Sequence, residues 1–285
     1  MKPTFYFYAN PFQSRSVEAA RALADAVEKR GGRVLAEEWL SRQAVGEACP
    51  LSDMPEGVRA IVAFGGDGTL LMAAPHAVKR NIPIVGVHTG TVGFLMQGDA
   101  DKPEETADAL TAPAYDLAAY PLLNIRYDGE SYLAMNDLAL TRGEHPGVIE
   151  VIARADGEEI FRAHGDGAVV STPVGATAYG LSAGGPVVRH DAPCLLVTPL
   201  CARELLLRPV ILPLTAKITL LAHGRERRRL QLAIDGQTLL PVTHEAQVEI
   251  SAAKETIRMI RLRPSRFFGT LRRKQAAWND YEIQE

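Results

Sequence analysis

The first third of the chain alternates short apolar runs with segments whose apolar residues recur every three or four positions. Three runs are free of charged side chains and predict strands buried in a parallel sheet: Thr4–Ala9, Ala60–Phe64 and Ile82–Val87. Arg33–Glu38 predicts another strand, and Pro103–Leu110 predicts a short helix. Strands that alternate with helices imply parallel strands joined by crossover helices. The pattern therefore predicts an α/β domain over residues 1–115, which ends near a composition shift at Ala112-Pro113.

From residue 116 to residue 264 strand patterns dominate. The dipeptides Asp156-Gly157 and Asp235-Gly236 each lie between two segments with a strand pattern, which predicts two hairpins. Ile211–Ala222 and Gln247–Leu262 predict long strands, and Ala176–Ala183 is the one helical stretch. This pattern predicts an all-β, sandwich-like domain. Residues 265–285 return to a helical pattern, in which Phe267, Phe268 and Leu271 are expected to share one face that packs back on the protein.

Composition narrows the functional classes. The 285 residues are 47% hydrophobic and carry a formal net charge of −3, so a folded core is expected and nucleic acid is not an expected partner. No apolar run approaches the roughly 18 residues of a spanning helix, and the N-terminus lacks a signal-peptide pattern. Three cysteines without metal-ligand spacing argue against structural zinc. We therefore expect a cytoplasmic protein with no membrane partner, in which the basic run Arg225–Arg229 is a solvated turn.

The segment Gly65-Gly66-Asp67-Gly68-Thr69 carries the first candidate chemistry, because it follows a buried strand and precedes a predicted helix that begins near Leu70. Glycines let the backbone approach a phosphate closely, and free N–H groups at a helix start face an anion. Asp67 could accept a proton from an attacking hydroxyl, or it could help to hold Mg²⁺. The alternative is a tight strand-to-helix turn in which Asp67 caps the helix.

A second block of small residues and turn formers runs from Gly165 to Tyr179 and continues through Ser182 to Pro186. Such residues let a ligand lie against the backbone. Thr177 offers a hydroxyl, Tyr179 an aromatic surface, and Asp166 an acceptor for ribose or amide groups. The alternative is a loop of the β-domain with a buried tyrosine.

These blocks resemble the NAD kinase family. GGDGT is shared by NAD kinases, diacylglycerol and sphingosine kinases and, in variant form, phosphofructokinases. The block that contains GDG, TP-x-G-x-TAY and SxGGP resembles the NAD kinase signature, which lipid kinases lack. Gly90–Leu95 is similar to the family's G-x-LGFL segment, and Asn136-Asp137 stands where the family usually has Asn-Glu. Ile234–Gln237 matches a late DGQ, although a plain hairpin turn is an alternative there.

The resemblance implies a two-domain NAD kinase-like architecture and a reaction. ATP would phosphorylate the 2′-hydroxyl of the adenosine ribose of NAD, with Mg²⁺ or another divalent cation, in a homodimer or homotetramer. Asp67 would be the catalytic base, and Gly65, Gly66, Gly68 and Thr69 would bind ATP phosphates. The NAD-binding residues would be Phe94, Asn136, Asp137, Asp166, Thr177, Ala178, Tyr179 and Ser182. The metal ligands stay open, with Asp67 acting through phosphate-bound Mg²⁺ as one possibility. The alternatives are a diacylglycerol-type lipid kinase and a non-catalytic dinucleotide-binding protein.

Two single residues and two short segments depart from the family pattern. Asp137 replaces Glu and Val92 replaces Leu, Pro199–Leu205 reads PLCAREL, and Arg189-His190 stands where His-Pro is frequent. These positions leave open the NAD affinity, the choice between NAD and NADH, and the assembly. The donor range, ATP or polyphosphate, and feedback regulation are also left open by the sequence.

Overall fold

The computed structural model describes residues 2–90, 93–144, 147–223, 230–242, 245–264 and 267–279. These residues divide into two compact units. The first is built from the described parts of Met1–Ala119 and Ile257–Glu285, and the second is Tyr120–Thr256. The predicted domain limits at residues 115 and 264 stay a prediction.

In chain order the strands are β1 (Thr4–Ala9), β2 (Arg33–Ala36), β3 (Glu47–Ala48), β4 (Val58–Gly65), β5 (Ile84–His88), β6 (Met96–Asp99), β7 (Asp116–Tyr127), β8 (Glu130–Ala134), β9 (Asp137–Thr141), β10 (Ile149–Ala155), β11 (Glu158–Gly165), β12 (Gly167–Ser171), β13 (Cys194–Leu200), β14 (Val210–Pro213), β15 (Ile218–His223), β16 (Leu230–Ile234), β17 (Thr238–Val242) and β18 (Glu245–Arg261). The α-helices are α1 (Ser14–Lys29), α2 (Glu38–Ser41), α3 (Asp67–Arg80), α4 (Pro103–Thr111), α5 (Tyr179–Ser182) and α6 (Phe267–Asn279). Leu51–Asp53 and Gly175–Thr177 form short 3₁₀ turns.

The first unit has a parallel sheet in the order β5, β4, β1, β2, β3, and β6 also pairs with β5 in parallel. Its core joins strand residues such as Phe5 and Val62 to Leu23 of α1 and Leu110 of α4. The uncharged strands are buried as the sequence predicts. Their carboxyl ends share one edge of the sheet, where β4 leads into the glycine-rich segment.

The second unit has two antiparallel sheets. One contains β11, β10, β15, the first part of β18, and β7 with β8, while the other runs β14, β13, β12, β9, β16, β17. Both sheets contribute to a single apolar core, in which Val151 and Leu220 come from the first sheet and Leu140 and Val197 from the second. The predicted fold class, an α/β domain followed by a sandwich-like β-domain, is therefore confirmed.

Three local predictions are wrong. Ile211–Ala222 is two strands in different sheets, β14 and β15, because the chain turns after Pro213 and the Ala216 N–H donates to the Pro213 carbonyl. The helix expected at Ala176–Ala183 is a 3₁₀ turn and the short α5, separated by the non-helical backbone of Ala178. Phe268 is 58% exposed, because adjacent residues of a helix point in different directions, whereas Leu271 is buried.

Candidate active site

The glycine-rich segment ends β4 and begins α3. Gly65 has φ of +151°, and a Cβ there would lie 2.3 Å from Thr69 Oγ1, so this position requires glycine. A Cβ at Gly66 or Gly68 would meet no atom within 4 Å, so the backbone is open on that side. The Thr69 and Leu70 N–H groups donate to the Gly66 carbonyl, whereas the N–H groups before them, at the start of α3, have no preceding helical turn to bond. The segment therefore has the form of an anion-binding loop.

Asp67 is the first residue of α3 rather than its cap, since Gly66 holds the cap position and α3 begins three residues before the predicted start. The Asp67 carboxylate instead accepts hydrogen bonds from two backbone N–H groups, Phe94 to Oδ2 at 3.0 Å and Leu95 to Oδ1 at 3.1 Å. A Cβ at Gly93 would lie 2.0 Å from Asp67 Oδ1. The Gly93–Leu95 segment thus fixes the orientation of the carboxylate.

Helix α6 adds a residue that the sequence analysis did not include among the site residues. The Lys274 ammonium lies 3.9 Å from Asp67 Oδ2 and 5.1 Å from the centre of the Phe94 ring. Phe267, at the start of the same helix, stacks at a tilt on Phe94 with 5.7 Å between ring centres. In the sequence, only the seven-residue spacing of Phe267 and Lys274 indicated that they share one helical face.

In the second unit, Asn136 and Asp137 lie where β9 begins, and Asp235 holds them there. The Asp235 carboxylate accepts hydrogen bonds from the N–H groups of Met135, Asn136 and Asp137 at 2.8, 2.7 and 3.1 Å. Asp235 is the first residue of the predicted hairpin turn between β16 and β17. The late DGQ is therefore a hairpin turn whose carboxylate fixes the Asn136-Asp137 pair.

Asp137 is a buried carboxylate, with 5% of its surface exposed. Burial, together with the charge of Asp235, raises the pKa of Asp137 to about 7, although a hydrogen bond from the Tyr179 N–H opposes the rise. Burial also raises the pKa of Asp235, against the effect of its three backbone hydrogen bonds. Near neutral pH, Asp137 can therefore be either a hydrogen-bond acceptor or a donor.

Asn136 presents an amide oxygen that is buried and has no hydrogen-bond partner in the protein. The backbone around it is fixed, since the Thr172 N–H donates to the Asn136 carbonyl and the Thr172 hydroxyl donates to Met135 O. A Cβ at Gly175 would lie 2.0 Å from Asn136 O, which explains this glycine of the second block. Among the described residues, Ser171 Oγ, Thr198 Oγ1 and Arg258 Nε are likewise buried and unpaired, so this feature is not specific to Asn136.

The TAY segment, Thr177–Tyr179, follows β12 in the chain. The Thr177 hydroxyl donates to Val174 O and lies 3.1 Å from Nε2 of His190. Burial lowers the pKa of His190 to about 4, so this imidazole is neutral at pH 7. Ala178 links the 3₁₀ turn to α5, Tyr179 is 43% exposed, and Ser182 is exposed at the end of α5. The alternative interpretation of this block, a loop with a buried tyrosine, is therefore wrong about Tyr179.

Asp166 lies between β11 and β12, and its Oδ1 accepts a hydrogen bond from Arg142 Nε at 2.7 Å. Burial, followed by the charges of Cys201, Asp137 and Asp166, raises the pKa of Tyr179. The structure therefore joins Asp137, the neighbour of Asn136, to Tyr179 by a hydrogen bond and places Asp166 within electrostatic range of the tyrosine. Gly167, with φ of +151°, keeps this turn close to the Leu140 carbonyl.

Comparison with known proteins identifies the family. Residues 6–115 match the model of the ATP-NAD kinase N-terminal domain, and residues 135–262 match that of the C-terminal domain. The chain is 33% identical to the NAD kinase of Heliobacterium modesticaldum, over 95% of this chain and 98% of that protein. The chain belongs to the NAD kinase family. The resemblance found in the two glycine-punctuated blocks is therefore confirmed.

Solved structures of NAD kinase family proteins share the fold. The yeast NADH kinase in complex with NADH has a TM-score of 0.84 at 22% identity, covering 100% of this chain and 90% of that one. An NAD kinase from Archaeoglobus fulgidus in complex with ATP has a TM-score of 0.75 at 22% identity, covering 95% and 99%. At this identity the likeness concerns the fold alone.

Val92 and the basic run Arg225–Arg229 lie outside the described residues, so the predicted solvated turn stays a prediction. Within the described part of the chain, no group of three or more histidine, cysteine or acidic side chains could hold a metal ion. Asp67 as a contact of phosphate-bound Mg²⁺ therefore stays a prediction. Among the described helices of this NAD kinase family member, none is both long and apolar enough to cross a membrane.

Proposed function

We propose that this protein is an NAD kinase, which transfers the γ-phosphoryl group of ATP to the 2′-hydroxyl of the adenosine ribose of NAD. The 2′-oxygen forms a bond to the γ-phosphorus, and the bond from that phosphorus to the bridging oxygen of ADP breaks. The hydroxyl proton passes to Asp67, and the products are NADP and ADP. Membership of the family supports the reaction class.

The observation that carries the assignment of Asp67 is its fixed carboxylate. Each oxygen accepts one backbone N–H, from Phe94 or Leu95, which leaves a further lone pair on each oxygen for a substrate hydroxyl. A general base must lie within hydrogen-bond reach of the proton that it removes, and a fixed carboxylate meets this need without reorientation. Asp67 is thus assigned as the base rather than as a helix cap.

We assign the phosphates of ATP to Gly65, Gly66, Gly68 and Thr69, since the helix start and the open glycine backbone favour anions. Mg²⁺ or another divalent cation is expected to arrive with those phosphates, because Mg²⁺ commonly binds through substrate oxygens and keeps several waters. When bound, the cation neutralises phosphate charge. No step above is assigned to the metal, since the described residues do not enclose it.

We assign the adenosine part of NAD to Asn136, Asp137, Thr177 and Tyr179. The Asn136 amide can pair with an adenine edge, Asp137 can bond a ribose hydroxyl, and the exposed Tyr179 ring can stack on a planar base. Phe94, Asp166, Ala178 and Ser182 complete the proposed NAD-binding set. A homodimer or homotetramer in the cytoplasm, with no membrane or nucleic-acid partner, remains part of the proposal.

One assay tests the proposal: purified protein is incubated with NAD, ATP and Mg²⁺, and the product is measured with an NADP-specific dehydrogenase. NADP must form in proportion to enzyme and time. Tight NAD(P) binding without NADP would instead indicate a dinucleotide-binding protein, and phosphorylation of diacylglycerol in vesicles would indicate a lipid kinase. Parallel reactions with NADH or with polyphosphate determine the acceptor and the donor range.

A further inference from the structure

Lys274 lies beside the candidate base although the two residues are far apart in the chain. Its ammonium is 3.9 Å from Asp67 Oδ2, and its side chain is 23% exposed, so it is shielded from solvent over most of its surface. The neighbouring Arg272 and Arg273 are exposed. Of the three consecutive basic residues of α6, Lys274 is therefore the one that faces the Asp67 carboxylate.

The position of Lys274 is fixed by packing rather than by the ion pair alone. Thr270 and Leu271 are buried, and Phe267 stacks on Phe94, whose backbone N–H holds the Asp67 carboxylate. The Lys274 ammonium also lies 5.1 Å above the Phe94 ring, which attracts cations through its electron-rich face. Phe94 thus contacts α6 through its ring and Asp67 through its backbone.

The surroundings of Asp67 combine two N–H donors with one ammonium. Phosphoryl transfer brings additional negative charge toward this carboxylate, and two like charges at short range repel each other strongly in a partly dehydrated site. A fixed ammonium offsets that repulsion and keeps the carboxylate in its orientation. A misplaced base loses rate even when both substrates still bind, because turnover depends on alignment.

We propose that Lys274 is a positioning residue that acts through Asp67: it holds the carboxylate in place and balances its charge during phosphoryl transfer. The proposal rests on the proposed NAD kinase function. It differs from a direct contact of Lys274 with ATP, which would change the KM for ATP. It also differs from a purely structural contact of α6, which any substitution of similar size would disturb equally.

The test compares Lys274→Met, Lys274→Arg and Arg272→Met in steady-state kinetics and thermal unfolding. Lys274→Met keeps the aliphatic stem and removes the charge, so kcat is expected to fall roughly 10–100-fold while both KM values stay within about threefold. Lys274→Arg should restore part of kcat. Arg272→Met, which removes an exposed cation from the same helix, should leave kcat within about twofold.

A double substitution separates action through Asp67 from an independent effect. If Lys274 acts through the carboxylate, Lys274→Met should cause little further loss in an Asp67→Asn background, whereas independent residues would show additive losses. Additive losses overturn the proposal. A normal kcat in Lys274→Met, a loss confined to the KM for ATP, or a matching loss in Arg272→Met each overturns it as well.

The wild-type protein measured in the same assay separates the two hypotheses. Wild-type turnover with a normal Lys274→Met enzyme contradicts the role of Lys274 alone. Absence of NADP formation by the wild type contradicts the proposed function and, with it, this role. A Lys274→Met protein that loses kcat only together with its folded state at the assay temperature, without rescue by Lys274→Arg, assigns Lys274 to folding and overturns the proposal.

Discussion

Asp67 offers its substrate a carboxylate that the backbone already orients. Substitution by Asn keeps an oxygen for one N–H hydrogen bond but removes the ability to accept a proton. Turnover of Asp67→Asn is therefore expected to fall on the order of 10²–10⁴ at a temperature where both proteins are folded. NADP formation by the two proteins, measured at saturating NAD and ATP, checks this. Near-normal turnover would exclude Asp67 as the base.

Asp137 makes stability depend on pH. Its pKa of about 7 in the folded protein lies above the ordinary 3.8, so between these values the folded state retains a proton that the unfolded chain has lost. The contribution of Asp137 to stability is therefore greatest below that window and decreases as pH rises through it. The Asn side chain of Asp137→Asn does not titrate. The free energy of unfolding of this variant, relative to that of the wild type, should therefore increase between pH 5 and pH 8.

Urea unfolding of both proteins at the two pH values measures the effect. The difference in free energy of unfolding is expected to change by on the order of 1–3 kcal/mol in favour of Asp137→Asn at the higher pH. Titrating groups that do not interact with Asp137, such as His190, are common to both proteins and cancel in the difference. Parallel pH dependences would show that Asp137 does not hold its proton in this range.

At this scale the sequence identified residues with local signatures and missed those that depend on a distant partner. Asp67 stood among glycines after an uncharged strand, so its position at a helix start was predictable. Lys274 carried no local signature, because its significance comes from the packing of α6 against Phe94. The sequence also left Thr172 and His190 without a role, since their hydrogen bonds join segments whose approach is set by the sheets.

At the scale of elements, two similar hairpin turns have different functions. Asp235 and Asp156 each precede a glycine and have φ near +50°. The Asp235 carboxylate accepts three backbone N–H groups from the start of β9, whereas Asp156 accepts the Lys217 N–H at an exposed position. Substitution of Asp235 therefore leaves buried donors unpaired in an element that carries Asn136 and Asp137.

Asp235→Ala is expected to destabilise the protein by roughly 2–4 kcal/mol and to raise the KM for NAD, because buried donors that lose a charged acceptor are costly. Asp156→Ala is the matched control, since it imposes the same positive φ on alanine, and it should cost only about 1 kcal/mol. Chemical unfolding and NAD titration measure both variants. Equal losses would mean that turn strain, rather than the Asp235 hydrogen bonds, determines the effect.

Strands were predictable where the apolar pattern ended at a turn-forming dipeptide. β1 has the predicted bounds, since its uncharged run ends at Asn-Pro, and β16 and β17 form the hairpin predicted at Asp235-Gly236. Ile211–Ala222 misled because an apolar pattern does not reveal that its two halves pair in different sheets. The sheet to which each half belongs depends on strands that are distant in the sequence, and the local alternation of apolar residues does not specify them.

At the scale of the whole molecule, the second unit is an insertion in the first. The first unit uses residues before Tyr120 and after Thr256, and an ion pair of 3.2 Å joins Asp116 to Arg261 near the two junctions. The second unit is continuous in sequence and has an apolar core of its own. A continuous segment with its own core and neighbouring ends meets the usual conditions for independent folding.

Residues 120–256 produced alone are therefore expected to fold, with a β-type circular dichroism spectrum and a cooperative thermal transition. Residues 1–119 produced alone should lack such a transition, because they lose the buried Met259 and Ile260 of β18 together with α6. A cooperative transition in residues 1–119 but none in residues 120–256 would reverse this view of the molecule.

The return of the chain to its first unit has a consequence for biosynthesis. On the ribosome, the segment with the proposed NAD-binding residues of the second unit emerges entire and can fold before the closing strand and helix of the first unit are made. A premature stop codon soon after residue 256 would thus leave a nascent product in which the Asn136-Asp137 pair is in place, yet Asp67 has no neighbouring ammonium. The proposed turnover would therefore require the part of the chain that follows the second unit.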